Sequence, residues 1–184
     1  MYLNIWHVFE SNIQSIEDCL IYDPLTSDKG DWYNDGATVS FTDTGLTISK
    51  STSGEAHVLK TTPINTPFTF EYTWLRGTNQ LFAMRLQNII DSSTWIVYYY
   101  IFSNKYIGMG MTGNTTKDVY YGDMKEGDKI KLVVEATSVK GYVNDKLCVT
   151  QTTTGVPSQL YVGSYTNNGR SQTLKNMKVK PYTE

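Results

Sequence analysis

Carboxylates are the first residues to weigh, because two of them about 5 Å apart across a glycosidic bond are enough to cleave it with retention. One strand can present such a pair, since alternation puts every second side chain on the same face. No Glu-x-Asp-x-Glu or similar pattern occurs in the 184 residues; Glu71 stands alone in FTFEYTW, and Glu126 and Asp128 flank Gly127 in a turn-rich stretch. The remaining route to hydrolysis is a pair assembled from distant strands. His7 and His57 are far apart and have no nucleophile beside them, and SxxK and GxSxG are missing, so acyl transfer has no support. Cys19 and Cys148 are too few for a disulfide framework and lack zinc-site spacing. They read as two buried thiols, with a bridge from a first strand to a late strand as the alternative.

Binding chemistry is better represented. The run Trp95-Ile96-Val97-Tyr98-Tyr99-Tyr100 is aromatic on both alternating sets. Such a strand must place some rings off the core, where a ring face can stack on the C–H face of a pyranose while polar neighbours fix its orientation. If Ile96 faces inward, Tyr98 and Tyr100 go with it and Trp95, Val97 and Tyr99 face out. A slip of one residue inverts the assignment. Trp32, Tyr120, Tyr121 and Tyr165 are further candidates in or near loops. An acidic stretch holds Asp23, Asp28, Asp31 and Asp35 among Gly30, Asn34 and Gly36. Calcium takes oxygen ligands of this kind, although the spacing is not that of an EF-hand. The alternative is a solvated turn that uses Asp, Asn and Gly for their backbone tolerance.

The elements that must position these residues are strands. The chain has 14 Tyr, 6 Phe and 4 Trp, types that suit a pleated, half-buried surface. Runs such as CLIYD, TVSFTD, GLTISK, EAHVLK, FTFEYTW, LFAMRLQ, TWIVYYYIF, KYIGMGM, IKLVVEA, VKGYVND, KLCVTQ, QLYVGSY and TLKNMKVKP are separated by Gly, Asn, Asp and Pro. PLTSDKGDWYNDG and GNTTKDVYYGDMKEGD read as turn or loop. In FTFEYTW, Phe68, Phe70, Tyr72 and Trp74 share one face; in LFAMRLQ, Phe82, Met84 and Leu86 do. The opposite positions Glu71, Thr73, Arg85 and Gln87 are then expected on one outer sheet surface. Residues 1–18 differ: Ile5, Phe9, Ile13 and Ile16 approach helical spacing, which predicts a short N-terminal arm or helix ahead of a domain over 19–184.

The opening DCLIYDPLTSDKGDW, the middle FTFEYTWLRGTNQLFAMRLQN, and the end EGDKIKLVVEATSVKGYVNDKLCVTQ with QLYVGSY and LKNMKVKP resemble the concanavalin A-like lectin and glucanase superfamily, which includes laminin-G-like domains. The resemblance spans roughly residues 19–182 and rests on a loose pattern. It implies an all-β, two-sheet antiparallel jelly-roll sandwich, with the last strand returning beside the first. Functionally it implies lectins, glycan-cleaving enzymes and adhesion modules, often with calcium. The glucanase branch carries its carboxylates on one strand, and their absence here counts against hydrolysis.

A net charge of −2 and the lack of a Lys/Arg run interleaved with aromatics disfavour nucleic acid. No apolar run of about 20 residues is present, which argues against membrane insertion, and MYLNIWHVF lacks the features of a signal peptide. The expected function is a non-catalytic, lectin-like module that binds a glycan or cell-surface polysaccharide. Its setting would be an extracellular, cell-surface or virion assembly such as a phage tail, with homo-oligomerisation in view. The expected ligand residues are Glu71, Thr73, Arg85, Gln87, Trp95, Tyr98, Tyr99, Tyr100, Trp32 and Tyr121. The alternatives are a structural or assembly domain that binds no glycan, and a divergent glycosidase.

Overall fold

A computed structural model describes residues 18–78, 81–91, 96–102, 106–122 and 124–182. The expected arm, apart from Asp18, lies outside the described residues, as does Trp95. Among the described residues there are sixteen strands, β1–β16 in chain order, and no helix. They form two antiparallel sheets. Sheet A runs β14 (Lys146–Thr152), β13 (Ser138–Val143), β12 (Lys129–Val134), β7 (Phe68–Thr78), β16 (Ser171–Pro181), β4 (Gly45–Ser49), β3 (Thr38–Thr42), with β1 (Ile21–Asp23) paired to β16. Sheet B runs β11 (Lys117–Tyr120), β10 (Tyr106–Met111), β9 (Val97–Phe102), β8 (Leu81–Gln87), β15 (Gln159–Asn167), β5 (Glu55–Lys60), β2 (Trp32–Asp35), with β6 (Ile64–Asn65) paired to β15. Runs of consecutive strands (β12–β14, β3–β4, β8–β11) are joined within each sheet by pairings distant in sequence such as β7–β16 and β8–β15, and β16 returns beside β1, which makes a jelly-roll sandwich.

The alternating apolar sets meet between the sheets. Phe68, Phe70 and Tyr72 from β7 are fully buried, as are Met84 and Leu86 from β8 and Leu160 and Val162 from β15. The β13–β14 turn uses Asn144 and Asp145, both with positive φ (47° and 63°), the two-residue hairpin geometry that Asn and Asp tolerate best. Three short strands fall in segments that read as turns or loops: β2 within PLTSDKGDWYNDG, β11 within GNTTKDVYYGDMKEGD, and β6. Each has two to four residues, too few for period-2 alternation to stand out from turn chemistry. Cys19 and Cys148 are both free and part-exposed, so the bridge is not made.

The topology corrects one expectation directly. β7 and β8 follow each other in sequence but lie in different sheets. Glu71 and Thr73 therefore face outward from sheet A, and Arg85 and Gln87 from sheet B, with the core between them. Alternation distinguishes in from out but does not say which sheet a strand joins.

Candidate functional site

The outer face of sheet B carries an open groove of about 500 Å³, lined by Tyr98, Tyr100, Tyr106, Asp118, Tyr165, Asn167 and Arg170. Its floor follows from the register of three strands. Val97, Tyr99 and Ile101 of β9 point into the core, so Tyr98 and Tyr100 point out. They pair with Gly110 and Gly108 of β10. A methyl group on Gly108 would collide with the Tyr100 ring and the Asp118 carboxylate. The Tyr100 ring thus folds over β10, and only glycine leaves room beneath it. Tyr98 stacks on Tyr100 with centroids 4.9 Å apart and planes 21° apart. Tyr165 stands 6.0 Å from Tyr98 on the other side, reached across Ala83, whose small side chain belongs to the same outer cluster.

Polar groups rim the rings. The Tyr100 hydroxyl donates to Asp118 Oδ1 from β11. Burial, followed by that carboxylate, pushes the phenol well above its ordinary range. On the far wall, Arg170 Nη1 donates to Asn167 Oδ1 (3.1 Å), Asn167 Nδ2 donates to the Tyr165 hydroxyl (2.6 Å), and that hydroxyl donates to Glu55 Oε1 (3.2 Å). Burial, with Glu55 next, raises Tyr165 to about 12. Both phenols are therefore neutral hydrogen-bonding groups at physiological pH.

Arg85 and Gln87 lie beside the groove but under cover. Arg85 is 1% exposed and Gln87 fully buried. Arg85 Nε donates to Gln87 Oε1 (2.6 Å), and Gln87 Nε2 donates to the carbonyls of Ile89 and Ile90 (2.7 and 3.0 Å). The segment after β8 thus turns back over its own outer face. The guanidinium sits 6.0 Å from the Tyr165 ring and 3.9 Å from Glu55, so Arg85 braces a groove wall instead of presenting free donors to a ligand. Burial, then Arg85, lowers the neighbouring His57 to about 4.

The other expected ligand residues are dispersed. Tyr99 is 1% exposed; its ring lies against Gly141 of β13, where a methyl group would strike it, and spans the gap between the sheets. It is a core residue, and the register with Tyr98 and Tyr100 outward is the one adopted. Trp32 packs against the core, with Lys60 Nζ 4.1 Å from its ring. Tyr121 is partly buried on the other side of the sandwich edge, beneath Lys146 at 5.2 Å. Glu71 and Thr73 belong to the opposite sheet. Tyr106, Asp118, Asn167 and Arg170 were not singled out from the sequence. The outward glycines of KYIGMGM, opposite two outward tyrosines, were the available signal for Tyr106.

The four aspartates do not converge on a cation site. Asp23 (1% exposed) and Asp31 both accept from Lys60 Nζ, at 2.6 and 2.8 Å. Asp28 accepts from the Gly30 amide, a local turn bond, and Asp35 lies 3.7 Å from His57. The Lys60 ammonium occupies the space between the two carboxylates that do approach each other. Among the described residues, no group of three or more His, Cys, Asp or Glu is placed to hold a metal ion. This donor set does not fit calcium.

No protein-family model matches the chain, and no curated protein matches it in sequence. Solved structures match in shape. The carbohydrate-binding module CBM66 from Bacillus subtilis is 14% identical, with a TM-score of 0.65 over 82% of this chain and 95% of its own. The exoplasmic/lumenal domain of VIP36, solved with Ca2+ and Man3GlcNAc bound, is 12% identical, with a TM-score of 0.65 over 91% and 90%. The apo Crh5 transglycosylase is 11% identical, with a TM-score of 0.67 over 89% and 84%. At such identities the likeness establishes the fold, which is that of the concanavalin A-like lectins.

Proposed function

We propose that the chain is a non-catalytic carbohydrate-binding module whose ligand lies in the groove on sheet B. One observation carries this reading: the Tyr98–Tyr100 stack lies over the glycine-bearing strand with polar groups at both ends. Ring faces offer area at low entropy cost because each tyrosine has few torsions. Asp118 can accept from sugar hydroxyls, while Asn167 and Arg170 can donate. The presence of carbohydrate-binding domains among the structural neighbours supports a glycan ligand.

Cleavage is less well supported. A transglycosylase and a sialidase share the fold. Among the described groove-lining residues Asp118 is the one carboxylate, engaged by Tyr100, while Glu55 stands behind the far wall and is engaged by Tyr165. Retaining cleavage needs two carboxyls facing the same bond, and only Asp118 of the two lines the described groove. Affinity at one such shallow site is expected at about 0.1–1 mM, so adhesion would need several copies on an extracellular, cell-surface or virion assembly. In that setting the apolar residues of the arm, Ile5, Trp6, Phe9 and Ile13, would supply assembly contacts, with 19–184 as the binding unit. No helix among the described residues is long and apolar enough to cross a membrane.

A glycan-array screen with and without calcium, followed by calorimetry, tests the reading. Tyr100→Ala should weaken the best neutral glycan about tenfold, the scale of losing one stacked ring. Wild-type affinity in a folded Tyr100→Ala protein would move the ligand off this groove.

A further inference from the structure

The outer face of sheet A holds a second feature that the groove does not use. A shallow trough of about 270 Å³ is lined by Lys129 and Lys131 of β12, Thr69 and Glu71 of β7, and Lys178 and Lys180 of β16. The register fixes its layout. Glu71 pairs with Lys131 on one side and with Lys178 on the other. Lys129 and Lys180 pair with Thr73 and Thr69, two residues away in opposite directions. Four ammoniums therefore surround one carboxylate. Strand spacing sets the two lysine rows about 10 Å apart, and the trough runs obliquely across three strands.

One lysine is balanced: Lys131 pairs with Asp145. Among the described residues, the side chains of Lys129, Lys178 and Lys180 form no ion pair and no hydrogen bond. Like charges gathered on neighbouring strands weaken a sheet, and Glu71 and Asp145, two carboxylates beside four ammoniums, offset them only in part. The chain as a whole carries −2, so this excess is a segregated positive patch on a protein of opposite sign, the arrangement that attracts and orients a polyanion.

We propose that this trough is a second binding site, for a linear anionic polysaccharide bearing carboxylate or sulfate groups. A small oxyanion would meet one or two of the ammoniums at a time, whereas a chain charged at every sugar or two can meet ammoniums along the whole trough. Thr69 places a hydroxyl beside the ammoniums, suited to a hydroxyl-rich polymer. Single-stranded nucleic acid fits less well, because no ring is among the described residues that line the trough and the adjacent Tyr142 ring is already faced by Lys131 at 5.0 Å. Duplex binding depends on a broad basic footprint that a net-acidic chain does not provide.

The test uses the full chain, with dextran sulfate as probe and neutral dextran and duplex DNA of similar length as controls. The wild type should bind dextran sulfate and not dextran, and binding should fade as salt shortens the screening length. Combined Lys129→Gln, Lys178→Gln and Lys180→Gln substitution should reduce that binding at least about tenfold, and arginine at the same positions should restore it. Lys50→Gln, outside the trough, should leave it unchanged. Undiminished binding by the triple glutamine variant would overturn the site, and equal affinity for duplex DNA would overturn the ligand class. Neither result bears on the groove of sheet B, whose test uses neutral glycans.

Discussion

The outer face of sheet B is ringed by tyrosines and roofed in part by the chain's own turn after β8, so that Arg85, Gln87 and His57 are all buried there. The outer face of sheet A is open around its trough, where Lys129, Lys131, Lys178, Lys180 and Thr69 line a shallow surface. Both faces come from the same period-2 alternation of strands packed on one core. What separates them is the layer beyond the strand. On sheet B, outward charges are held by hydrogen bonds in a dry setting; on sheet A, they are screened by water. The same residue type therefore has different energetics on the two sides, and substitutions can measure the difference.

Buried charge should show the largest effect. Lys60 lies on the inward set of β5, 2% exposed, between Asp23 and Asp31. Burial tends to raise the Asp23 carboxyl, but hydrogen bonds from Lys60 and the Leu25 amide, with the charges of Lys60 and Lys29, together hold it below its ordinary value. Lys60→Met would leave that carboxylate buried without its ammonium and should cost about 3–5 kcal/mol, read from denaturant midpoints. Since the folded Asp23 pKa is depressed, its contribution is present above the ordinary aspartate range and is lost as pH falls through the folded value. The variant should therefore be less acid-sensitive than wild type, and an equally steep acid limb would assign that limb to other groups. Any of the exposed trough lysines changed to Met should shift stability by less than about 0.5 kcal/mol.

Arg85 comes next. Its removal leaves a cavity and strips Gln87 of a buried partner, so Arg85→Ala should cost about 2–3 kcal/mol. Weakened glycan binding in that variant would be a consequence of a loosened Tyr165 wall. It should be restored by conditions that restore stability, whereas loss of a direct ligand contact would persist.

The third effect is one of pH. The folded His57 pKa is lowered to about 4 from an ordinary 6.5. Between those values the unfolded chain takes up a proton that the folded chain refuses, so stability falls as pH drops from about 6.5 toward 4, by on the order of 3 kcal/mol in total. Below about 4 both states are protonated and this slope ends. His57→Gln should flatten the curve in that window alone. An unchanged curve would show that the roof over His57 opens readily enough to hydrate it.

These contrasts mark how far the sequence could be read. The strands were legible because runs such as FTFEYTW and QLYVGSY alternate cleanly between Gly and Asn turns, and their apolar sets do form the core. Sheet membership was not, because a connection as short as the one from β7 to β8 reads as a hairpin whether it stays in one sheet or crosses between two. The register of Trp95–Tyr100 was undecided because both alternating sets are aromatic. It is resolved by partners distant in sequence: Gly141 makes space for Tyr99, and Gly108 for Tyr100. Burial of Arg85 was hidden for a related reason, since the roof comes from loop carbonyls that carry no side-chain signal. The Asp-rich turn looked like a cation site because the cation it holds, Lys60, lies about 30 residues away in sequence.

The smallest expected effect sharpens the comparison most. Glu71 and Arg85 read alike in the sequence, as outward polar residues on consecutive strands. Glu71 lies at the centre of the lysine trough, part-exposed, with Lys131 and Lys178 as its cross-strand neighbours. Glu71→Gln removes attraction to four ammoniums, but water and salt already weaken that attraction. The stability change should therefore be a loss of no more than about 0.5 kcal/mol at low salt. It should vanish near 1 M salt, where the screening length shrinks to about 3 Å. The same substitution removes the negative charge at the centre of the trough that a polyanion must approach, so dextran sulfate should bind more tightly, by roughly two- to fivefold at low salt. Binding of a neutral glycan in the groove of sheet B should not move, because the whole core lies between the two. A variant that is slightly less stable yet binds the polyanion better would identify Glu71 as a gatekeeper of the trough. Weaker polyanion binding would instead mean that the carboxylate holds the lysines in their binding arrangement.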